Sequence, residues 1–376
     1  MKKKSLLFFI FIFTITTKAQ LVRSYSNEFL NIGIGARAMG MGSAVSSFTS
    51  GVESGYWNPA GAVSVKNYEF AAMHNSLYNG IGSYDYMGAA MPLESKNLAV
   101  AASIIRLGVD NILNTTNLID SNGNINFNNI KQFSSADIAA IFSIGKNFST
   151  INLNVGVNAK IIRRNIGKFA TGNGFGFDIG AQYQLDNVKL GLVIRDVTTT
   201  FTAWSIDDAI FDAIANAPIL SRNGTVQSEN NTNQEKPEKF EITLPKFQLG
   251  ASYFKQFNKK YSLLTSLDLI GRFIETNDIV STSFISFSPN MGFELGYKNT
   301  AFFRVGFGDF QQEIDFTQIE NDIGETLFKP KKTINFEPSI GVGTKFKKIY
   351  IDYALTNVGA GSGVNYSNVF SVKVKL

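Results

Sequence analysis

The sequence predicts an all-β protein, a transmembrane antiparallel β-barrel of about fourteen strands with an N-terminal segment in its lumen. Three observations predict it. The stretch 367–376, S-N-V-F-S-V-K-V-K-L, puts Phe370, Val372, Val374 and Leu376 on one face and Ser371, Lys373 and Lys375 on the other, because successive side chains of a strand point to opposite sides. From Tyr68 onward the chain repeats this theme in alternating runs of about ten residues, separated by breaks that are short and long in turn. The composition is rich in Phe (33) and Gly (33), poor in Pro (8), and only 17% charged, against about a quarter for soluble domains.

The elements follow in order. Residues 1–19 read as a cleaved secretory signal peptide: Lys2, Lys3 and Lys4, then S-L-L-F-F-I-F-I-F-T-I, then small residues at Thr17 and Ala19. Residues 20–66 do not alternate; glycines and alanines crowd N-I-G-I-G-A-R-A-M-G-M-G-S-A, and G-Y-W-N-P-A-G follows, with Pro59 fixing a turn. Residues 67–376 form the barrel. Its strands are expected to begin at Tyr68, Tyr84, Leu98, Ala136, Ile151, Gly174, Val188, Phe240, Tyr261, Ser283, Ala301, Asn335, Tyr350 and Ser367. The last of these, carrying Phe370, Val372, Val374 and Leu376, closes the barrel, since an open sheet edge in hydrocarbon leaves backbone groups unpaired.

The connections are expected to sort by length. Polar turns lie at 94–97, 145–150, 186–187, 255–260, 298–300 and 347–348. Long excursions lie at 108–135, 165–173, 198–239, 271–282 and 308–334. Short turns on the periplasmic side and long loops outside are the pattern of outer-membrane barrels. Aromatic pairs near strand ends, among them Tyr68 and Phe70, Tyr84 and Tyr86, and Tyr350 and Tyr353, suggest interfacial girdles.

Chemistry-bearing groups are few. There is no cysteine and one histidine, His74, so zinc and copper lack a ligand set and thiol chemistry and disulfides are excluded. No G-x-S-x-G elbow accompanies His74, which reads as a pore-mouth or loop residue. Asp120, Asn122 and Asn124 have part of a calcium-loop spacing without its distal Glu and read as a polar turn. The spaced glycines at Gly33, Gly35, Gly40 and Gly42 have no preceding strand and no Lys-Ser/Thr pair, which argues against a phosphate loop. The basic residues are scattered despite a formal charge of +5, which argues against nucleic acid. No enzyme activity and no cofactor are expected.

In the long excursion 198–239, Ser205 is positioned to cap a helix that carries Asp207 and Asp208 in its first turn and stops before Pro218. Ile206, Ile210, Phe211 and Ile214 share its apolar face, which either packs on the rim or forms a lid. The polar stretch 221–239 that follows reads as loop. Farther on, Asp309, Glu313, Asp315, Glu320, Asp322 and Glu325 make the loop before Asn335 acidic, a solvated face or a place for cations bridging lipopolysaccharide.

The motif set from Asn27 to Gly61, G-A-R-A-M-G-M-G-S-A with Gly33, Gly35, Gly40 and Gly42, and then Trp57, Asn58, Pro59, Ala60 and Gly61, resembles the N-terminal region of the PorV/PorQ family of Bacteroidetes outer-membrane proteins, itself similar to FadL-type transporters. The resemblance implies a hatch lodged in the lumen, with Asn58, Pro59, Ala60 and Gly61 as its turn. It implies residence in the outer membrane of a Gram-negative bacterium, in contact with lipid and lipopolysaccharide. Two functions follow from it: an accessory of type IX protein secretion that binds secretion components or cargo, or, as the alternative, passive transport of hydrophobic small molecules through a kinked strand or gap in the wall.

Overall fold

The computed structural model describes residues 27–376 except 78–79, 94–96, 121, 216, 218, 221–225, 228–237, 321–325 and 358–365. The signal-peptide expectation for 1–19 and most of the polar stretch 221–239 therefore lie outside the described residues, as do Asp322 and Glu325.

Alternation of apolar and polar side chains drives the chain into strands with one face toward lipid and one toward the lumen. They are β1 (Glu69–Leu77), β2 (Gly82–Leu93), β3 (Leu98–Asn114), β4 (Lys131–Phe148), β5 (Leu153–Ile166), β6 (Ala170–Leu185), β7 (Val188–Arg195), β8 (Thr200–Ile206), β9 (Ile219–Leu220), β10 (Val226–Gln227), β11 (Phe240–Thr243), β12 (Lys246–Gln256), β13 (Tyr261–Arg272), β14 (Val280–Ser281), β15 (Ser286–Tyr297), β16 (Ala301–Glu320), β17 (Thr326–Phe346), β18 (Ile349–Asn357) and β19 (Tyr366–Lys375). Each wall neighbour is antiparallel, and β1 pairs with β19 from Glu69↔Lys375 to Ser76↔Asn368, which closes the sheet. Leu376, just past the last strand, donates its backbone N–H to Tyr68 O at 2.8 Å.

The closed sheet is an antiparallel barrel of 14 strands. β7 with β8, and β11 with β12, are each one wall strand interrupted partway, and β14 is a two-residue return beside β15. The outward faces carry bulky apolar residues such as Phe142, Ile161, Phe175, Leu192, Leu267 and Phe293, all exposed, the lipid-facing half of the strand period. Strand termini alternate between short turns, for example 186–187 and 347–348, and longer connections at the other rim.

Several expectations change in detail. The segment 165–173 is a three-residue turn, because β5 and β6 pair out to Ile166↔Ala170. The segment 308–334 is mostly a continuation of β16 and β17, paired out to Glu320↔Thr326, rather than a loop. Tyr84 and Tyr86 do not belong to a girdle: two residues apart on β2, they share its inward face and are buried. His74 lies within β1 and faces outward, not at the pore mouth.

Residues 27–66 lie inside the barrel. They fold as short helical turns at Glu28–Asn31 and Pro59–Ser64 around helices α1 (Ala36–Met39) and α2 (Ser54–Trp57). The turn at 59–64 starts where Pro59 occupies the first helical position and the Asn58 side chain accepts from Ala60 N–H at 3.1 Å. The buried hydrophobic core joins this segment (Ile34, Met41, Val45, Val52, Trp57) to inward residues of the early strands (Met73, Tyr84, Ile105).

Candidate functional site

Small inward residues create the space that the luminal segment fills. A Cβ at Gly306 would sit 1.9 Å from Gly42 N, one at Gly180 would sit 2.1 Å from Asn58 Oδ1, and one at Gly156 would sit 2.3 Å from the Pro59 carbonyl carbon. A side chain at Gly306 or Gly156 would therefore have to move backbone, and one at Gly180 would displace the hydrogen-bonded Asn58 side chain. Gly42 itself, at φ +61° and pressed on Phe307 backbone atoms, is where the left-handed turn and the close approach both require glycine.

Hydrogen bonds then fix the segment to the wall. Asn58 Nδ2 donates to Ser46 O (2.8 Å) and to Ala181 O (3.1 Å). Gln182 Nε2 donates to Ser46 O and Thr49 O, Asn158 Nδ2 donates to Gly55 O at 2.7 Å, and Ala36 N donates to Ser371 Oγ at 3.0 Å. Arg37 grips Glu294 with two nitrogens, each at 2.8 Å; Glu294 is shared with Arg304 (2.6 Å), which also reaches Asp352 (2.7 Å). Charge-assisted bidentate contacts of this kind are the strong ones. Lys373 pairs with Glu53.

Above this plug lies a cavity of about 600 Å³. Tyr56 and Trp57 form part of its lining, their rings edge to face at 4.8 Å. The Tyr56 hydroxyl donates to Leu30 O (2.7 Å) and accepts from Gly33 N–H (3.0 Å), and Trp57 Nε1 donates to Ile34 O (3.0 Å). Burial raises the Tyr56 hydroxyl above its ordinary pKa, so it stays neutral. The Arg195 guanidinium sits 4.9 Å from the Tyr56 ring centroid and 5.8 Å from that of Trp57, a cation-π stack that caps the aromatic pair.

The cavity reaches the wall where two neighbouring strands are interrupted at one level. The β7–β12 ladder stops at Arg195↔Lys246 and the β8–β11 ladder resumes at Thr200↔Thr243. Between them lie residues 196–199 on one strand and Leu244 and Pro245 on the other; Pro245 has no N–H to give a ladder. Asp196 (φ 55°) and Thr199 (φ 61°) take left-handed backbone at the two ends of the break. Buried Lys160 holds it, with Nζ 2.7 Å from Asp178 Oδ1 and 2.6 Å from Asp196 Oδ1, while Asp196 N–H donates to Asp178 at 2.9 Å. Thr243, Leu244 and Pro245 line the cavity together with Phe247 and Phe273, whose rings pack at 5.6 Å.

The structure brings Gly33, Gly42, Trp57, Asn58, Pro59, Ala60 and Gly61 together around the plug, and Gly35 and Gly40 flank α1 within it. Phe370 and Val372 face outward and Val374 is half-buried on the same outward parity of the closing strand, with Leu376 just beyond it. The helix expected from Ser205 begins later: α3 runs Asp208–Ala215, and Asp207 caps it by accepting from Ile210 N–H at 3.1 Å. Ser205 and Ile206 instead pair with Thr171 and Ala170 in the sheet, so Ile206 is not on the helix; Ile210, Phe211 and Ile214 are, half-buried. Asp120 closes an Asx turn, accepting from the N–H groups of Asn122 and Asn124 at 2.9 Å each. The bond from Asn124 is the main cause that lowers its pKa.

Sequence reasoning missed Lys160, Asp178, Asp196 and Arg195. One signal was present: Pro245 inside an otherwise central strand marks a break.

No protein-family model and no curated protein sequence matches the chain. Solved structures do. The chain is similar to the P. putida toluene transporter TodX (TM-score 0.54, 12% identity, covering 92% of this chain and 99% of that one). It is also similar to the CymD monoaromatic hydrocarbon channel (TM-score 0.54, 11% identity, 92% and 98%). A third likeness is to the TodX deltaS2S3 mutant monoaromatic hydrocarbon channel (TM-score 0.52, 14% identity, 92% and 99%). The shared property is the barrel fold.

Proposed function

We propose that this protein is a passive channel for hydrophobic small molecules in the outer membrane of a Gram-negative bacterium. The observation that carries the proposal is that the cavity, lined by Arg195 and by residues 243–246, reaches the edge of the paired interruption. An apolar solute settles against Phe247 and Phe273, the more open aromatic part of the lining, and leaves sideways into lipid. Straight passage is opposed by the plug, which is held by the Arg37–Glu294–Arg304 network and by backbone bonds. A sideways exit needs neither a conformational change of the plug nor an energy source, since apolar solutes partition into hydrocarbon spontaneously. The names of the similar structures, a toluene transporter and monoaromatic hydrocarbon channels, support this solute class.

In this reading 27–66 is the hatch, and Ile210, Phe211 and Ile214 pack α3 on the rim. No catalytic role is assigned. The secretion-accessory role rests on the PorV/PorQ resemblance of the hatch motifs alone and takes second place.

The test is uptake of a labelled monoaromatic hydrocarbon by cells lacking the protein, complemented with the native chain or with a variant in which residues 197–199 and Pro245 are deleted, which leaves Asp196 opposite Leu244 and restores a continuous ladder to both neighbouring strands. The native chain should raise uptake, and the straightened wall should return it to the level of the deletion strain, with folding checked by heat-modifiable gel migration. Native complementation that leaves uptake unchanged, while affinity capture recovers secretion components, would reverse the order of the two readings.

A further inference from the structure

One sector of the outer wall is unlike the rest. His74, Asp85 and Arg106 are register partners on β1, β2 and β3 and all face outward. His74 Nδ1 lies 2.7 Å from Asp85 Oδ1, and Arg106 Nη1 lies 3.8 Å from Asp85 Oδ2. Their side chains are 60%, 38% and 37% exposed. Ser76 and Ser83 sit level with one another just above, and on β18 and β19 the outward Tyr353 hydroxyl donates to Asn368 at 2.8 Å. The next outward row below the cluster runs Ala72, Met87 and Ile104, with Met87 69% and Ile104 57% exposed.

The wall is short on the β1 side of this cluster, while Asp85 lies on the 12-residue β2 and Arg106 on the 17-residue β3. β1 and β18 have nine residues each and β19 has ten, about what a tilted strand needs to cross the hydrocarbon. His74 is the sixth residue of β1. An ion pair facing lipid at that depth is desolvated without compensation. An anionic lipid headgroup is a poor occupant, because the Asp85 carboxylate already contacts both His74 and Arg106 and would repel it.

We propose that the β1–β3 sector is a dimer interface and that its occupant is a second copy of this chain. A two-fold interface applies the same patch to itself, so it requires a self-complementary set of charges. Asp85 and Arg106 on adjacent strands are such a set: an axis passing between them places each Arg106 against the Asp85 of the other copy. Met87 and Ile104, exposed beside them, add apolar surface to the contact.

The chain has no cysteine, so single-cysteine variants can be cross-linked directly in outer membranes with a short bismaleimide. Ser83→Cys should give a covalent species of twice the monomer mass, and Leu267→Cys, outward on β13 across the barrel, should remain monomeric. In the Ser83→Cys background, Asp85→Arg should abolish the dimer, and the exchanged pair Asp85→Arg with Arg106→Asp should restore it. The proposal is overturned if Ser83→Cys dimerises no more than Leu267→Cys, if its product is an adduct with a different protein, or if Asp85→Arg in a correctly folded barrel leaves the dimer unchanged. Heat-modifiable migration reports folding; should Asp85→Arg misfold, the comparison of the two cysteine variants decides.

Discussion

At the scale of single residues, the barrel is fitted to its contents by what its inward positions lack. Gly306 and Gly42 approach so closely that a methyl group at Gly306 would meet backbone atoms, which cannot rotate away. Gly306→Ala is expected to destabilise the protein by about 1–3 kcal/mol, the range for overpacking a tight core, and to expose the hatch to protease. Gly82→Ala, whose nearest new neighbour would be 3.5 Å away, should be close to neutral; limited trypsinolysis and thermal melting in detergent compare the two. The hatch glycines were conspicuous in the sequence because they cluster along the chain. Their wall counterparts were not, because Gly156, Gly180 and Gly306 meet the hatch only after strands far apart in sequence have closed around it.

At the scale of elements, strand number and order were legible, since a period of two is written along each strand by its own residues. Where a strand stops was less so. β8 claims Ser205 and Ile206, which local helix signals assigned to α3, because ladder bonds to β6 satisfy more backbone than one extra helical turn. The break between β7 and β8 depends on Lys160, a charge on another strand that the sequence gives no reason to link to Asp196. Lys160→Met would leave Asp178 and Asp196 buried without their cation, costing about 3–5 kcal/mol. The measurable outcome is a lower urea midpoint, together with loss of hydrocarbon uptake if the interruption is the exit. The triple variant that adds Asp178→Asn and Asp196→Asn to Lys160→Met should recover part of the stability, since neutral amides need no counter-charge; no recovery would show that Lys160 acts through packing alone.

At the scale of the whole molecule, closure and plugging are separate achievements. Closure depends on the eight register pairs between β1 and β19, plugging on residues 27–66 and their bonds to the wall. Deleting residues 27–65 should therefore leave a closed barrel with a water-filled lumen. In planar bilayers it should conduct ions steadily where the full chain does not. A deletion variant that inserts and stays electrically silent would mean that the wall side chains collapse inward and seal the lumen without a hatch.

The sequence by itself determined that this chain forms a barrel, because strands of alternating side chains can be satisfied in lipid only by a sheet without edges. It also marked the hatch, through glycines and Asn58-Pro59 that serve no strand. Only the tertiary structure decided that two adjacent strands break at one level beside the cavity, and that His74, Asp85 and Arg106 share one outward row. Both are matters of register, and register is set by which residues of different strands come to lie opposite one another, a relation that no local stretch of sequence contains.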